Sequence, residues 1–157
     1  MAGMAGMLEQ ARSFEADNEA AGPATAAPRL LVIDDDDLHR MIICRVAAKP
    51  GYVPVSAASY EEAAQLAQET AFDCITLDLS LGAHAGVEVL RHLWVIGRKA
   101  PIIIISGADA DVCHETVRVA KSLKFDVLKA VPKPVDLSLL RYSLEQLRQA
   151  RDTATAA

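Results

Sequence analysis

The chain has 157 residues, of which 52% are hydrophobic, and a formal net charge of −5. This length corresponds to one domain of about 150 residues with a buried core, and the acidic balance argues against a general nucleic-acid binder. The longest apolar runs are too short to cross a membrane, and residues 1–27 lack the basic start and apolar block of a secretory signal. Three well-separated cysteines indicate reduced thiols in a cytoplasmic protein.

Residues 1–28 differ in composition from the rest of the chain. They are rich in alanine and are interrupted by Gly22-Pro23 and Ala27-Pro28. This composition predicts a flexible or weakly helical extension. Residues 29–150 form the predicted domain, and residues 151–157 are expected to be a frayed C-terminal end.

The predicted domain alternates short apolar runs with helical patterns, which indicates βαβ units, a parallel sheet and helices on both of its faces. Pro54 and Lys129 interrupt the second and fifth runs, and both residue types suit sheet edges. The sequence therefore predicts an α/β, doubly wound, five-stranded parallel sheet in the order 2-1-3-4-5, a flavodoxin-like fold. The five predicted strands are Leu30–Ile33, Val53–Val55, Cys74–Leu77, Ile102–Ile105 and Val127–Val131.

The helical patterns have apolar faces that predict which residues pack on the sheet. The first face comprises Leu38, Met41, Ile42 and Val46, and the second Tyr60, Ala63, Ala64 and Ala67. The third comprises Val87, Leu90 and Trp94, the fourth Val112, Thr116, Val119 and Leu123, and the fifth Leu137, Leu140, Leu144 and Leu147.

Polar side chains stand at the carboxyl ends of four of these strands, where doubly wound proteins bind ligands. Strand one runs into Asp34–Asp37, strand three into Asp78, strand four into Ser106 and strand five into Lys133. At an effective dielectric of about 20, each close carboxylate pair costs several kcal/mol, so this edge requires shared protons or a cation. Oxygen ligands favour Mg²⁺, and metal, amine and hydroxyl around a carboxylate indicate a phosphoryl-accepting site.

Each of these features also has an ordinary structural explanation. The aspartates could cap a helix, Asp78 could end a strand, Ser106 could lie in a turn and Lys133 in a surface loop. Asp34 and Asp36 also have the two-residue spacing of a haloacid dehalogenase-type phosphatase, although that family has a cap insertion and no second acceptor such as Asp78. Flavin binding is disfavoured, because no phosphate-binding loop follows the first strand.

The residues that carry this pattern resemble the receiver domain of two-component response regulators, the CheY-like family. The resemblance covers residues 29–148, and its spacings are 43 residues from Asp35 to Asp78, 28 from Asp78 to Ser106 and 27 from Ser106 to Lys133. The matching motifs, in chain order, are LLVIDDDDLHR, FDCITLDLSLGAHAGVEVL, PIIIISG and VPKP.

The resemblance implies a role for each residue of the site. Asp78 is the phosphoacceptor, and the metal ligands are Asp34, Asp35, Asp78 and the backbone carbonyl of Ser80, with Asp35 the more direct ligand of the acidic pair. Ser106 and Lys133 bind the phosphoryl group, and the bond before Pro134 is cis. Asp36 and Asp37 begin the first helix.

The same resemblance implies a signalling protein that is not an enzyme acting on a separate substrate. Asp78 would take a phosphoryl group from a sensor histidine kinase in a Mg²⁺-dependent reaction. As a stand-alone, single-domain regulator, the chain would signal through a histidine phosphotransfer protein or another protein target. The leucines of residues 137–147 could also support a homodimer.

Departures from the family pattern include two that bear on activation and on the helix after Asp78. Ala130 stands where receivers usually have an aromatic residue that moves with the hydroxyl of Ser106, so the usual activation route is in doubt. Ala85 stands where an aspartate usually caps the helix that follows the acceptor loop. These departures leave an alternative: an interaction module resembling a pseudo-receiver, which binds partners without being phosphorylated.

Overall fold

The computed structural model describes residues 26–81, 83–107 and 109–156, without the side chains of residues 81, 83–85, 129 and 156. Five parallel strands alternate with five helices. The strands are β1 (Arg29–Ile33), β2 (Val53–Ala57), β3 (Cys74–Asp78), β4 (Ile102–Ser106) and β5 (Val127–Pro132). The helices are α1 (Asp37–Ala48), α2 (Tyr60–Glu69), α3 (Ala83–Val95), α4 (Ala110–Ser122) and α5 (Leu137–Ala156). A 3₁₀ turn at Leu79–Leu81 follows β3.

The sheet has the strand order β2-β1-β3-β4-β5, which confirms the predicted topology. Both interrupted strands lie at its edges, as their residues indicated: Pro54 pairs with Leu30 on β1, and Lys129 pairs with Ile103 on β4. The ladder between β4 and β5 shifts register between Ile102 and Ile103. The last four residues of β1 pair with the first four of β3, from Leu30 opposite Cys74 to Ile33 opposite Leu77, so both strands end at the same edge.

Two apolar cores cover the two faces of the sheet. One contains buried residues of α2, α3 and α4, among them Ala63, Leu90 and Ala120. The other contains buried residues of α1 and α5, among them Ile43 and Leu140. Because strand side chains alternate between faces, Leu31 and Ile33 point into the first core, and Leu30 and Val32 into the second.

Two helices bury different residues from those predicted. In α1 the buried residues are Ile43 and Ala47, whereas Leu38 and Met41 of the predicted face are exposed. In α3 Leu90 is buried as predicted, but it is joined by Val89 and Leu93, and Trp94 of the predicted face is 52% exposed. Apolar residues occur all round both helices, so their periodicity alone does not determine the buried face.

The loop between Asp78 and helix α3 is shorter than the sequence indicated. Helix α3 begins at Ala83, so Ala85 lies inside its first turn rather than at its cap. Gly86 follows in the same turn, and a Cβ atom there would lie 3.0 Å from Leu79 Cδ2. A glycine at this position lets the helix approach Leu79 closely.

Helix α5 continues to Ala156, so residues 151–156 are helical rather than frayed. Arg151 Nε lies 3.1 Å from Asp73 Oδ1, which ties this end of the helix to the residue before β3. Leu140 and Leu144 are buried in the core, so packing within the chain accounts for two of the α5 leucines. No described helix is long and apolar enough to span a membrane. Residues 1–25, most of the predicted extension, lie outside the described part.

Candidate functional site

Asp34 and Asp78 meet at the carboxyl edge of the sheet, on the face covered by α1 and α5. Asp34 continues the alternation of Leu30 and Val32, and Asp78 ends β3 on the same face as Cys74. Both carboxylates have no solvent exposure. Two buried like charges repel strongly, so the site requires compensating cations or protons.

The two oxygens of Asp78 have different partners. Oδ1 accepts hydrogen bonds from the Ser80 backbone N–H at 2.8 Å and from the Ser80 hydroxyl at 2.5 Å. Oδ2 lies 2.7 Å from Lys133 Nζ and 3.6 Å from His39 Nδ1, but it accepts no well-directed hydrogen bond from the described residues. Lys133 also donates to the Ser80 hydroxyl at 3.3 Å. Ser80 therefore holds one oxygen of Asp78, and the other oxygen contacts Lys133.

The start of α1 holds Asp34 in place. The Asp36 backbone N–H donates to Asp34 Oδ1 at 2.9 Å, and Arg40 donates to the Asp34 backbone carbonyl at 2.8 Å. Asp36 is also the N-cap of α1, where its side chain accepts from the His39 N–H at 3.0 Å. Asp37 is the first residue of the helix and pairs with Arg40 at 2.5 Å. These contacts are consistent with the helix-start role predicted for Asp36 and Asp37.

The two buried carboxyl groups differ in acidity. Burial raises the pKa of Asp34, with Asp78 as a further cause, against the opposing hydrogen bonds from Asp36 and His39. Burial also raises the pKa of Asp78, but the contacts with Lys133 and Ser80 outweigh burial and hold this pKa below its ordinary value. Burial also disfavours the charge on Lys133, yet Asp78 raises the pKa of that amine overall. Asp78 is thus the more acidic member of the pair.

The remaining predicted residues lie around this pair. Asp35 is exposed, with Oδ1 3.4 Å from the Ser80 hydroxyl, so it lies at the rim of the site. Ser106 ends β4 and is nearly buried, and its carbonyl accepts from the Lys133 N–H at 2.9 Å. The Lys133–Pro134 peptide bond is cis.

Among the described residues, the structure adds His39, which sequence reasoning did not select. Its Nδ1 contacts Asp34 Oδ2 and faces Asp78. The available signal was the spacing from Ile43 and Ala47, which follow His39 at intervals of four residues on the face that packs on the sheet. This face was not the one that the apolar pattern of α1 indicated.

The residues at this edge fit a divalent cation. Asp34 and Asp78 supply buried carboxylate oxygens, and Asp78 Oδ2 accepts no well-directed hydrogen bond from the part of the chain that the structure describes. One ligand atom each from Asp34, His39 and Asp78 lies within 4.8 Å of the others. A cation between these groups would offset their repulsion.

A family model for the response regulator receiver domain matches residues 30–145. The chain belongs to the response regulator receiver family. The match includes every residue of the site described above, and it confirms the family that the motifs of the sequence resemble.

Curated and structural relatives agree with this assignment. The chain is 28% identical over 134 residues to the sensory/regulatory protein RpfC of Xanthomonas campestris, covering 82% of this chain and 18% of RpfC. It is 31% identical over 118 residues to a protein-glutamate methylesterase/protein-glutamine glutaminase of Koribacter versatilis, covering 74% of this chain and 31% of that protein. The chain thus spans less than a third of either relative and matches only the receiver part of the methylesterase.

Two solved structures show the same fold. A response regulator from Colwellia psychrerythraea is 25% identical with a TM-score of 0.67, covering 80% of this chain and 99% of that one. The chemotaxis protein CheY4 of Vibrio cholerae has a TM-score of 0.66 at 22% identity, covering 78% and 99%. The receiver family places this chain among proteins of phosphorelay signalling.

Proposed function

We propose that this receiver accepts a phosphoryl group on Asp78 from the phosphohistidine of a sensor histidine kinase, in a Mg²⁺-dependent reaction. The observation that carries the proposal is the state of Asp78. It is fully buried, paired with Lys133 at 2.7 Å, and held by Ser80 through one oxygen only. A carboxylate in this setting is ionised, oriented and next to a cation.

The chemistry follows from these contacts. A carboxylate oxygen of Asp78 attacks phosphorus, the new O–P bond forms, and the P–N bond to the donor imidazole breaks. Lys133 neutralises charge that develops on the phosphoryl oxygens, and the Ser106 hydroxyl is the proposed donor to one of them. A bound Mg²⁺ would be held by Asp34, Asp35, Asp78 and the Ser80 carbonyl, and it would supply further positive charge.

Output is proposed to occur by protein contact or by onward transfer to a histidine phosphotransfer protein, in the cytoplasm. Ala130 is exposed on edge strand β5, opposite Ile104 on β4. An alanine has no aromatic ring to move inward, so coupling from Ser106 to a partner would use other side chains. This is a reason to measure phosphorylation separately from partner binding.

The proposal is tested by phosphorylation with acetyl phosphate and with phosphoramidate, which has a P–N bond, each with Mg²⁺ and with EDTA. Intact mass then reports the adduct on the wild type, on Asp78→Asn and on a control, Asp126→Asn. Asp126 is exposed and lies before β5, at the opposite edge of the sheet. We expect one phosphoryl group on the wild type and on the control, only with Mg²⁺, and none on Asp78→Asn. Absence of an adduct on the wild type with both donors would favour the non-phosphorylated interaction module.

A further inference from the structure

His39 lies inside the site, but the proposed phosphorylation chemistry gives it no role. Its Nδ1 contacts Asp34 Oδ2 and lies 3.6 Å from Asp78 Oδ2. The side chain is 21% exposed, whereas both carboxylates are fully buried. The imidazole is therefore the partly exposed member of this group.

The fold holds His39 in this position from two directions. Its backbone N–H donates to the side chain of Asp36, the N-cap, at 3.0 Å. Ile43, four residues later on the same helix, is buried and anchors this face of α1. Asp34 is equally fixed, through Asp36 and Arg40. An imidazole nitrogen and two carboxylate oxygens thus converge before any metal arrives, which reduces the ordering that binding requires.

We propose that His39 Nδ1 is a metal ligand together with Asp34 and Asp78, and that this site consequently prefers first-row transition dications to Mg²⁺. This inference rests on the metal site of the proposed function and concerns which ion that site selects. Mg²⁺ is bound mainly by oxygen ligands and waters, whereas imidazole nitrogen favours transition metals. Asp78 Oδ2 faces the same space; it contacts Lys133 Nζ at 2.7 Å but accepts no well-directed hydrogen bond from the described residues.

The test uses Mn²⁺ alone as the probe, because pulsed electron paramagnetic resonance detects ¹⁴N bound to this ion. Wild type is compared with His39→Gln and with His114→Gln, a matched control at an exposed position of α4. We expect ¹⁴N coupling in the wild type and in His114→Gln, and none in His39→Gln. Loss of one ligand should weaken Mn²⁺ binding at least about tenfold, because substituting residues that only hydrogen-bond to metal ligands already lowers metal affinity by about that factor. Mg²⁺ affinity, measured by calorimetry, should change less.

Absence of ¹⁴N coupling in the wild type, or its persistence in His39→Gln, would overturn the ligand role. Tighter Mn²⁺ binding by His39→Gln would also overturn it, because His39 would then compete with the metal. Wild-type protein labelled with ¹⁵N-histidine tests imidazole ligation even if the variant does not fold. Phosphorylation is measured in parallel: an adduct on Asp78 without ¹⁴N coupling contradicts this inference alone, and coupling without an adduct contradicts the proposed function alone.

Discussion

Lys133 Nζ lies 2.7 Å from Asp78 Oδ2, although Lys133 follows β5, Asp78 ends β3, and β4 lies between these two strands. The carboxylate is fully buried, and 30% of the lysine side chain is exposed. Neither residue would be stable here alone: Asp78 would be a buried charge beside Asp34, and Lys133 would lose solvent without a partner. This pair links the end of β3 to the residue that follows the last strand of the sheet.

The pair should be energetically coupled. Lys133→Met leaves Asp78 buried without its cation, so we expect the free energy of unfolding in EDTA to fall by about 1.5–3 kcal/mol. Asp78→Asn removes the charge, so Lys133→Met should cost much less in that background. Urea unfolding of the four proteins measures the coupling. If Lys133→Met lowered the free energy of unfolding equally in both backgrounds, the pair would have no coupling energy. The control is Lys121→Met, at an exposed position of α4.

Mg²⁺ should stabilise the folded protein by relieving the repulsion between Asp34 and Asp78. At ten times its Kd, a ligand that binds only the folded state adds about 1.4 kcal/mol to the free energy of unfolding. Thermal unfolding with Mg²⁺ and with EDTA measures this gain. Asp34→Asn removes a proposed ligand, so its melting temperature should respond less to Mg²⁺. An equal response from this variant would place the ion elsewhere.

Thr76 should be a stabilising substitution site. Its hydroxyl is buried in β3 and has no hydrogen-bond partner among the described residues. Thr76→Val keeps the shape and removes the unsatisfied hydroxyl, so we expect the free energy of unfolding to rise by about 1 kcal/mol. Thr116→Val is the matched control, because the buried Thr116 hydroxyl donates to the Val112 carbonyl at 2.8 Å. The hypothesis fails if both substitutions shift stability in the same direction by the same amount.

Stability should decline at alkaline pH through two buried groups. Burial raises the pKa of Cys74 to about 12 from 9.0, and burial likewise raises the pKa of Tyr52 above its usual 10.0. Their neutral forms are favoured in the folded state, so this contribution is complete below pH 9. It is lost as the pH rises and the unfolded chain ionises first, by at most about 1.4 kcal/mol per pH unit for each group.

Urea unfolding between pH 8 and 12 measures this decline. Cys74→Ala should flatten the slope from pH 9 upward, and Tyr52→Phe from pH 10 upward, whatever each substitution costs at neutral pH. Slopes that match the wild type in both variants would assign the decline to other groups. Cys74 and Tyr52 lie outside the candidate site. The unfolding of the wild type and of the two variants is therefore compared in metal-free buffer.

Much of the architecture was predictable because its signals are local. Each apolar run became a strand within two residues of its predicted end, and Pro54 and Lys129 correctly indicated edges. Parallel strands bring their carboxyl ends together, so Asp34 and Asp78 could be expected to meet. The buried face of α1 could not be predicted, because its apolar residues surround the helix and the choice of Ile43 over Leu38 depends on the sheet.

The sequence by itself determined the strand order, the family and the acidic edge, because each depends on residue type and on strand ends that parallel pairing brings together. Tertiary structure alone decided which groups touch. It paired Asp78 with Lys133, left Asp35 at the exposed rim and turned His39 toward the two buried acids. The rotation of α1 is set by packing across the sheet, and the contact between His39 and Asp34, five residues apart, becomes visible only once that rotation is known.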